Sequence, residues 1–142
     1  MFQTIIKASE NFCIHQIREE HKIGDIIPNT KMIITYIDID ADNGEKHRVY
    51  LASDKIFMQK ISTLFLEEDE SDEETLIDMA LETTNLIVGS AKVIAEETNH
   101  NIFTINTPNF IEFDSFNLEY EESQTIEIDT HKLVIAMKKI NS

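Results

Sequence analysis

The sequence predicts an α+β fold in which an antiparallel or mixed β-sheet is covered by helices. Its elements follow the order helix, strand, strand, helix, helix, strand, and two short strands close the chain. An Asn-Gly pair separates the first two strands, which is typical of an antiparallel hairpin. With 142 residues, 42% hydrophobic content, 3 Gly and 2 Pro, the composition is that of one globular domain spanning residues 1–142.

Near the N-terminus, apolar residues recur at intervals of three and four, and this spacing predicts a first helix over residues 2–20. Residues 31–40 and 48–52 are rich in Ile, Thr, Tyr and Val and predict two strands. Between them, Asn43 and Gly44 predict a type I′ turn, in which both central residues have positive φ.

A second helix is predicted over residues 54–66, where helical spacing of apolar residues returns. The next segment, residues 67–74, reads EEDESDEE and is expected to be a solvated linker. At its end, Ser71 and Glu74 have the spacing of a capping box, so they should begin a long helix over residues 75–98. Three later runs predict strands: residues 102–107, 125–128 and 132–137.

Acidic residues dominate the charge: 27 Asp and Glu against 12 Lys and Arg give a net charge of −15. Such a surface repels nucleic acid and anionic membranes, so neither is an expected partner. No apolar run approaches the roughly 18 residues of a membrane span, and the N-terminus lacks the pattern of a signal peptide. The single cysteine, Cys13, excludes a disulfide scaffold and is expected to be a small buried residue. We therefore expect a cytoplasmic protein.

The predicted long helix carries a polar stripe. Asp78, Glu82, Asn85 and Gly89 are spaced i, i+4, i+7 and i+11, and so fall within about 60° of one another on a helix. The opposite side, expected to pack on the sheet, consists of Leu76, Ala80, Ile87, Ala91 and Ile94. Apolar residues border the stripe on both sides: Met79, Leu86 and Val93, and Leu81 and Val88. A polar line between apolar borders indicates a docking surface; the alternative is an ordinary solvent edge whose borders pack against other helices.

Residues 78–89, DMALETTNLIVG, match the pattern [D/S]-x-x-x-E-x-x-N-x-x-x-G. An acidic lead-in, SDEETLIDMA, overlaps the start of this motif, and the helix continues through SAKVIAEE to FTINTP at residues 103–108. In these features the chain resembles the CheC, CheX and FliY family of chemotaxis phosphatases. The first helix retains only Ser9 at the corresponding offsets, so a single copy of the motif is present, which is similar to CheX. The resemblance implies a CheX-like sheet flanked by helices.

The resemblance also implies an activity, hydrolysis of the phospho-aspartate on a CheY-type response regulator in chemotaxis and two-component signalling. It implies that Asn85 holds the attacking water in line and that Glu82 pairs with the Lys beside the phosphorylation site. A carboxamide suits the first role because it offers a donor and an acceptor without adding negative charge near a phosphoryl group. The residues expected to contact the partner are Asp78, Leu81, Glu82, Asn85, Leu86 and Gly89.

No cofactor or metal is expected on this chain, and the Mg²⁺ needed for turnover is expected to be bound by the phosphorylated regulator. Members of the CheX type can pair through an edge strand, and the β-rich C-terminal section of this chain could do so, so we also expect a homodimer. Two other functions compete with the phosphatase. One is a non-catalytic module of the same fold that binds a receiver or motor protein, and the other is an acidic structural domain with an accidental motif.

A calcium loop was the main alternative for residues 38–44, DIDADNG. It fails on register, because Asn43 and Val49 stand where an EF-hand needs Gly and a bidentate Glu. Asp38 and Asp40 are instead expected to pair with basic residues across the hairpin. The histidines show no zinc-ligand spacing either.

Overall fold

The computed structural model describes residues 1–141. Three α-helices are present among them: α1 (Phe2–Phe12), α2 (Lys55–Leu66) and α3 (Glu73–Thr98). The strands are β1 (Lys22–Gly24), β2 (Met32–Ala41), β3 (Lys46–Ser53), β4 (Phe103–Ile105), β5 (Asn109–Asp114), β6 (Glu122–Ile128) and β7 (His131–Lys139). They form one sheet in the order β1, β6, β7, β3, β2, β4, and β5 pairs with β2 along the same edge as β4. Every pairing is antiparallel, which confirms the predicted α+β class.

The two faces of the sheet are covered differently. All three helices pack on one face, and their apolar residues form the main core with inward-pointing residues of the strands. On the other face a smaller apolar cluster around Tyr50 is covered by the loop residues Phe116, Ile27 and Leu118. The helices therefore all lie on one side of the molecule, where α3 packs beside α1 and α2.

The first helix is shorter than the predicted range of 2–20. α1 ends at Phe12 and continues as a π-helical turn, Cys13–Ile17, until Arg18 adopts a left-handed conformation with φ 61°. The apolar periodicity ends at Ile17, and residues 18–20 are charged and exposed. Because these three residues have no apolar face to bury, nothing extends the helix through them.

The predicted hairpin joins β2 to β3, but its turn is not type I′. Only Gly44 has positive φ, at 92°; the Gly44 N–H donates to Ala41 O, and the Ala41 N–H donates to Glu45 O. This pattern is that of a three-residue loop, a type I turn followed by a glycine bulge. The expected cross-strand pairs are confirmed: Arg48 contacts Asp38 at 2.7 and 2.9 Å, and Lys46 Nζ lies 3.6 Å from an Asp40 oxygen.

The predicted capping box at the start of α3 is wrong by one residue. The N-cap is Asp72, whose carboxylate accepts a hydrogen bond from the Thr75 N–H at 2.8 Å; the bonds from Thr75 lower the pKa of Asp72. Ser71 hydrogen-bonds to α2 instead. Its N–H donates to the Gln59 side chain, and its hydroxyl lies 2.5 Å from that of Ser62. These bonds of Ser71 attach the exposed acidic linker to α2 just before α3 begins.

Two strands were absent from the sequence prediction. β1 has only three residues, all exposed, and β5 begins directly after Pro108, beyond the strand predicted over residues 102–107. Both lie at sheet edges, where a strand buries little side-chain area, so their sequences carry a weak apolar signal. β5 also shifts register against β2 between Ile34 and Thr35.

Cys13 is fully buried in the main core, as predicted. Burial, reinforced by the nearby charge of Glu10, raises the pKa of its thiol to about 12. The thiol therefore stays neutral and behaves as a packing group. Among residues 1–141, no helix is both long and apolar enough to cross a membrane.

Candidate functional site

The polar stripe of α3 faces outward. Leu76, Ala80, Ile87 and Ala91 on the opposite side are at most 5% exposed and pack into the main core. Asp78, Glu82 and Asn85 are exposed, and Gly89 is half-buried. The predicted exposure of Glu82 and Asn85 above a buried face is confirmed.

The apolar borders of the stripe are divided between core and surface. Met79 and Val88 are buried in the main core, and Leu81 is half-buried. Leu86 and Val93 remain 40% and 50% exposed. Both interpretations of the borders were therefore partly right: some border residues pack inside the fold, while Leu86 stays open beside Asn85.

Of the two residues between Glu82 and Asn85, Thr84 holds the helix to the sheet. Thr83 and Thr84 are fully buried, and the Thr84 hydroxyl donates to Ala80 O at 2.7 Å. With its proton used there, Thr84 accepts from the Thr35 hydroxyl of β2, 2.6 Å away. This buried link fixes the rotation of α3 about its axis, and hence the direction in which Glu82 and Asn85 project.

We expect Thr84→Val to lower the free energy of unfolding by about 1–3 kcal/mol, because it removes the nearest hydrogen-bond partner of the buried Thr35 hydroxyl. The other acceptor near Thr35 is Leu51 O, at 3.5 Å. Thr35→Val is the matched control and should cost less, since Thr84 then keeps its bond to Ala80 O. Urea unfolding of both variants measures the difference, and a larger cost for Thr35→Val would contradict this account.

A shallow groove of about 680 Å³, here called the motif groove, runs along one side of the stripe. One wall consists of Asp78, Leu81, Glu82 and Asn85, and the other of Ile105, Asn106, Thr107 and Pro108. The second wall was missing from the predicted site. The only sequence signal for it is FTINTP, residues 103–108, which belongs to the family resemblance and overlaps the predicted strand over residues 102–107.

Asn106 attaches this second wall to the sheet. Its N–H donates to Asp38 O at 2.9 Å, and its side-chain Nδ2 donates to Asp38 O at 3.0 Å and to Asp40 Oδ2 at 3.1 Å. The same two aspartates form the hairpin ion pairs with Arg48 and Lys46. The wall opposite Glu82 and Asn85 is thus held by β2.

Gly89 is not required by packing within the chain. A methyl group added there would meet no atom within 4 Å. Glycine in a helix interior costs about 1 kcal/mol relative to alanine, so its presence is unexplained by the isolated fold. We interpret Gly89 as removing a side chain so that the backbone of another molecule can approach α3.

The first helix does not present a second copy of the stripe. Ser9 and Cys13 are both fully buried, and the Ser9 hydroxyl donates to Ile5 O at 2.8 Å. The described part of the chain also contains no cluster of three or more His, Cys, Asp or Glu side chains placed to hold a metal ion. Asp38 and Asp40, considered for a calcium loop, form the hairpin pairs described above.

Comparison with known proteins gives a family match and a set of similar folds. The model of a family described as "Chemotaxis phosphatase CheX" matches residues 33–131, well over half of the chain. No curated protein sequence gives a significant match.

Three solved structures illustrate the similarity of fold. Chemotaxis protein CheX from Vibrio vulnificus is 17% identical, with 95% of this chain and 97% of that chain covered and a TM-score of 0.75. A CheX from Desulfovibrio desulfuricans is 15% identical, with 97% of each chain covered and a TM-score of 0.76. A CheX from Borrelia burgdorferi, solved as a complex with CheY, BeF₃ and Mg²⁺, is 14% identical, with 96% of this chain and 97% of that chain covered and a TM-score of 0.70.

Proposed function

Because the chain belongs to the CheX family of chemotaxis phosphatases, we propose that it hydrolyses the phospho-aspartate of a CheY-type response regulator. The observation that carries the proposal is the placement of Glu82 and Asn85. Both are exposed, one turn apart, on a helix whose opposite face is buried and whose rotation is fixed by the Thr84–Thr35 link. A partner can therefore reach both side chains at once without rearrangement of the chain.

The partner is proposed from the family and from one fold relative. The Borrelia burgdorferi CheX was solved with CheY, BeF₃ and Mg²⁺. For the present chain we propose the same class of partner, with Mg²⁺ bound by the regulator. A shallow groove beside a helix suits docking against another protein better than enclosing a small substrate.

Asn85 is proposed to position the attacking water. In the reaction, the water oxygen bonds to phosphorus while the bond from phosphorus to the aspartyl oxygen breaks, leaving an aspartate carboxylate and inorganic phosphate. A magnesium-bound acyl phosphate is already electrophilic, so the missing contribution is a nucleophile held in line. The Asn85 carboxamide can accept from this water and donate to an adjacent oxygen without bringing a negative charge toward the phosphoryl group.

Glu82 is proposed to anchor the complex by pairing with the lysine beside the regulator's phosphorylation site. A bond between ionised groups is stronger than one between neutral groups, and at this position it would set the register of Asn85 one turn further along α3. Catalysis is then assembled only in the complex, with the electrophile and Mg²⁺ supplied by the regulator and the positioned amide supplied by this chain.

Pairing of two copies through an edge strand stays a prediction. The C-terminal strands β6 and β7, expected to supply this edge, each have a neighbouring strand on both sides. The outer edge of β1, and that of β4 and β5 on the far side of the sheet, could each accept a strand instead.

The test measures how fast the phospho-aspartate of CheY-type receivers is lost with and without this protein. The receivers are first phosphorylated with acetyl phosphate. We expect catalytic amounts to accelerate decay of at least one receiver in a panel. If a receiver binds but its phospho-aspartate is not lost faster, the phosphatase proposal is wrong. The protein would then be the non-catalytic module that binds a receiver.

A further inference from the structure

A second groove lies on the other side of the stripe, between α1 with its π-helical turn and α3. It has a volume of about 430 Å³ and is called here the α1–α3 groove. The apolar residues that line it include Phe12, Phe65, Leu86 and Ile87, and the polar ones are Asn11, His15, Gln16 and Ser90. The stripe therefore runs between two depressions, the motif groove and this more apolar one.

The α1–α3 groove is preformed. Phe12 and Ile87 are 6% and 1% exposed and belong to the main core, so their positions are set by the fold. The rings of Phe12 and Phe65 meet edge to face, with centroids 6.1 Å apart. Leu86, in contrast, is 40% exposed, so the groove offers open apolar surface that nothing in the described chain covers.

The charge around this groove differs from that of the chain as a whole. The protein has 27 acidic residues, yet no carboxylate, lysine or arginine is among the residues that the structure places along the groove. His15 is the one titratable side chain that the described chain places along the groove. An apolar group can therefore enter it without stripping water from a carboxylate, a lysine or an arginine, a step that would oppose binding. The chemistry favours an uncharged apolar side chain as the occupant.

The groove lies directly beside Asn85 and Gly89, and this position indicates which molecule supplies the apolar side chain. Leu86 follows Asn85 directly, and Ser90 follows Gly89; successive residues of a helix are 100° and 1.5 Å apart. Leu86 and Ser90 therefore form the rim of the groove that lies beside the stripe. A regulator whose phosphorylation site meets Asn85 and whose backbone approaches Gly89 must pass over this rim.

We propose that the α1–α3 groove receives an apolar side chain of the same CheY-type regulator, extending the docking surface from α3 to α1. The inference rests on the proposed function. The Glu82 contact orients the regulator, while burial of an apolar anchor in a preformed pocket supplies much of the affinity.

The experiment fills the groove or removes its exposed apolar wall, while the four motif residues Asp78, Glu82, Asn85 and Gly89 stay unchanged. Ser90→Trp places a large side chain in it, and Leu86→Ser removes its exposed apolar wall. Ile56→Ser is the matched control, because Ile56 is an exposed apolar residue on α2 that lies outside both grooves and outside the stripe. The probe is a CheY-type receiver activated with beryllium fluoride and Mg²⁺ for titration calorimetry, and the phosphorylated receiver for kinetics.

We expect both groove variants to raise the receiver's Kd and KM at least tenfold, with kcat reduced less than twofold, and Ile56→Ser to match the parent. Unchanged Kd in Ser90→Trp and Leu86→Ser would overturn the proposal. So would a parent dimer that Ser90→Trp converts to monomer by sedimentation, because the occupant would then be a second copy. A parent that binds the receiver without hydrolysing it would remove the proposed function, yet Kd would still report on the groove.

Discussion

Replacement of Asn85 by alanine is expected to lower kcat for phospho-receiver hydrolysis by about 100-fold or more, since misplacing a reacting group by about 1 Å can cost that much. The receiver's Kd should change little, because the amide acts on the water in the transition state and not chiefly on the docked ground state. Single-turnover decay of phosphorylated receiver, together with calorimetric titration, separates these two quantities.

Two further variants sharpen the Asn85 test. Asn85→Asp keeps the shape but adds a negative charge near the phosphoryl group, so it should be no more active than Asn85→Ala. Gln3→Ala removes an exposed amide from α1 and should behave as the parent. Because Asn85 is exposed, all three variants should melt near the parent temperature. Parent-like decay with Asn85→Ala would rule out the proposed role.

Glu82→Ala should act mainly on binding. Losing a hydrogen bond to a charged partner costs about 1.5–3 kcal/mol, which corresponds to about a 10- to 150-fold rise in the receiver's Kd. Activity at low receiver concentration should fall by the same factor and recover in part at saturation, since Asn85 is still present. Titration of the parent and the variant with a beryllium fluoride-activated receiver measures the change.

Glu97 provides the control for Glu82. It is exposed near the C-terminal end of α3, so Glu97→Gln removes one negative charge from the same helix at a distance from the motif. If only the net charge of −15 mattered, Glu97→Gln and Glu82→Gln would have equal effects. We expect only the Glu82 variant to weaken binding, and equal losses would argue against a specific ion pair.

The sequence by itself determined the features that depend on local repetition. Side chains on a helix return to one face every three to four residues, so the order of Asp78, Glu82 and Asn85 along α3 specified both an exposed stripe and the buried face beneath it. The position of the hairpin and its Asp38–Arg48 pair followed in the same way, because neighbouring antiparallel strands joined by a short turn have few available registers.

Helix caps and turn types, for which the sequence allowed more than one hydrogen-bonding arrangement, were predicted less well. The capping box at Ser71 failed because Gln59 and Ser62 of α2 take the hydrogen-bonding groups of that serine, which leaves Asp72 to cap α3. The type I′ turn failed because the sheet accommodates a third loop residue, with Gly44 alone at positive φ. In both cases a sequence pattern allowed two geometries, and for the helix cap contacts with α2 selected one.

Only the tertiary structure decided what surrounds the stripe. Thr35 and Thr84 are 49 residues apart, the Asn106 side chain reaches back to Asp38 and Asp40 across more than 60, and Phe12 and Leu86 share a groove although more than 70 residues separate them. No periodicity within one segment encodes these neighbours, because they arise when the helices settle on the sheet so as to bury the apolar faces of all three together. The stripe is therefore a property of α3, whereas the walls on either side of it belong to the packed fold.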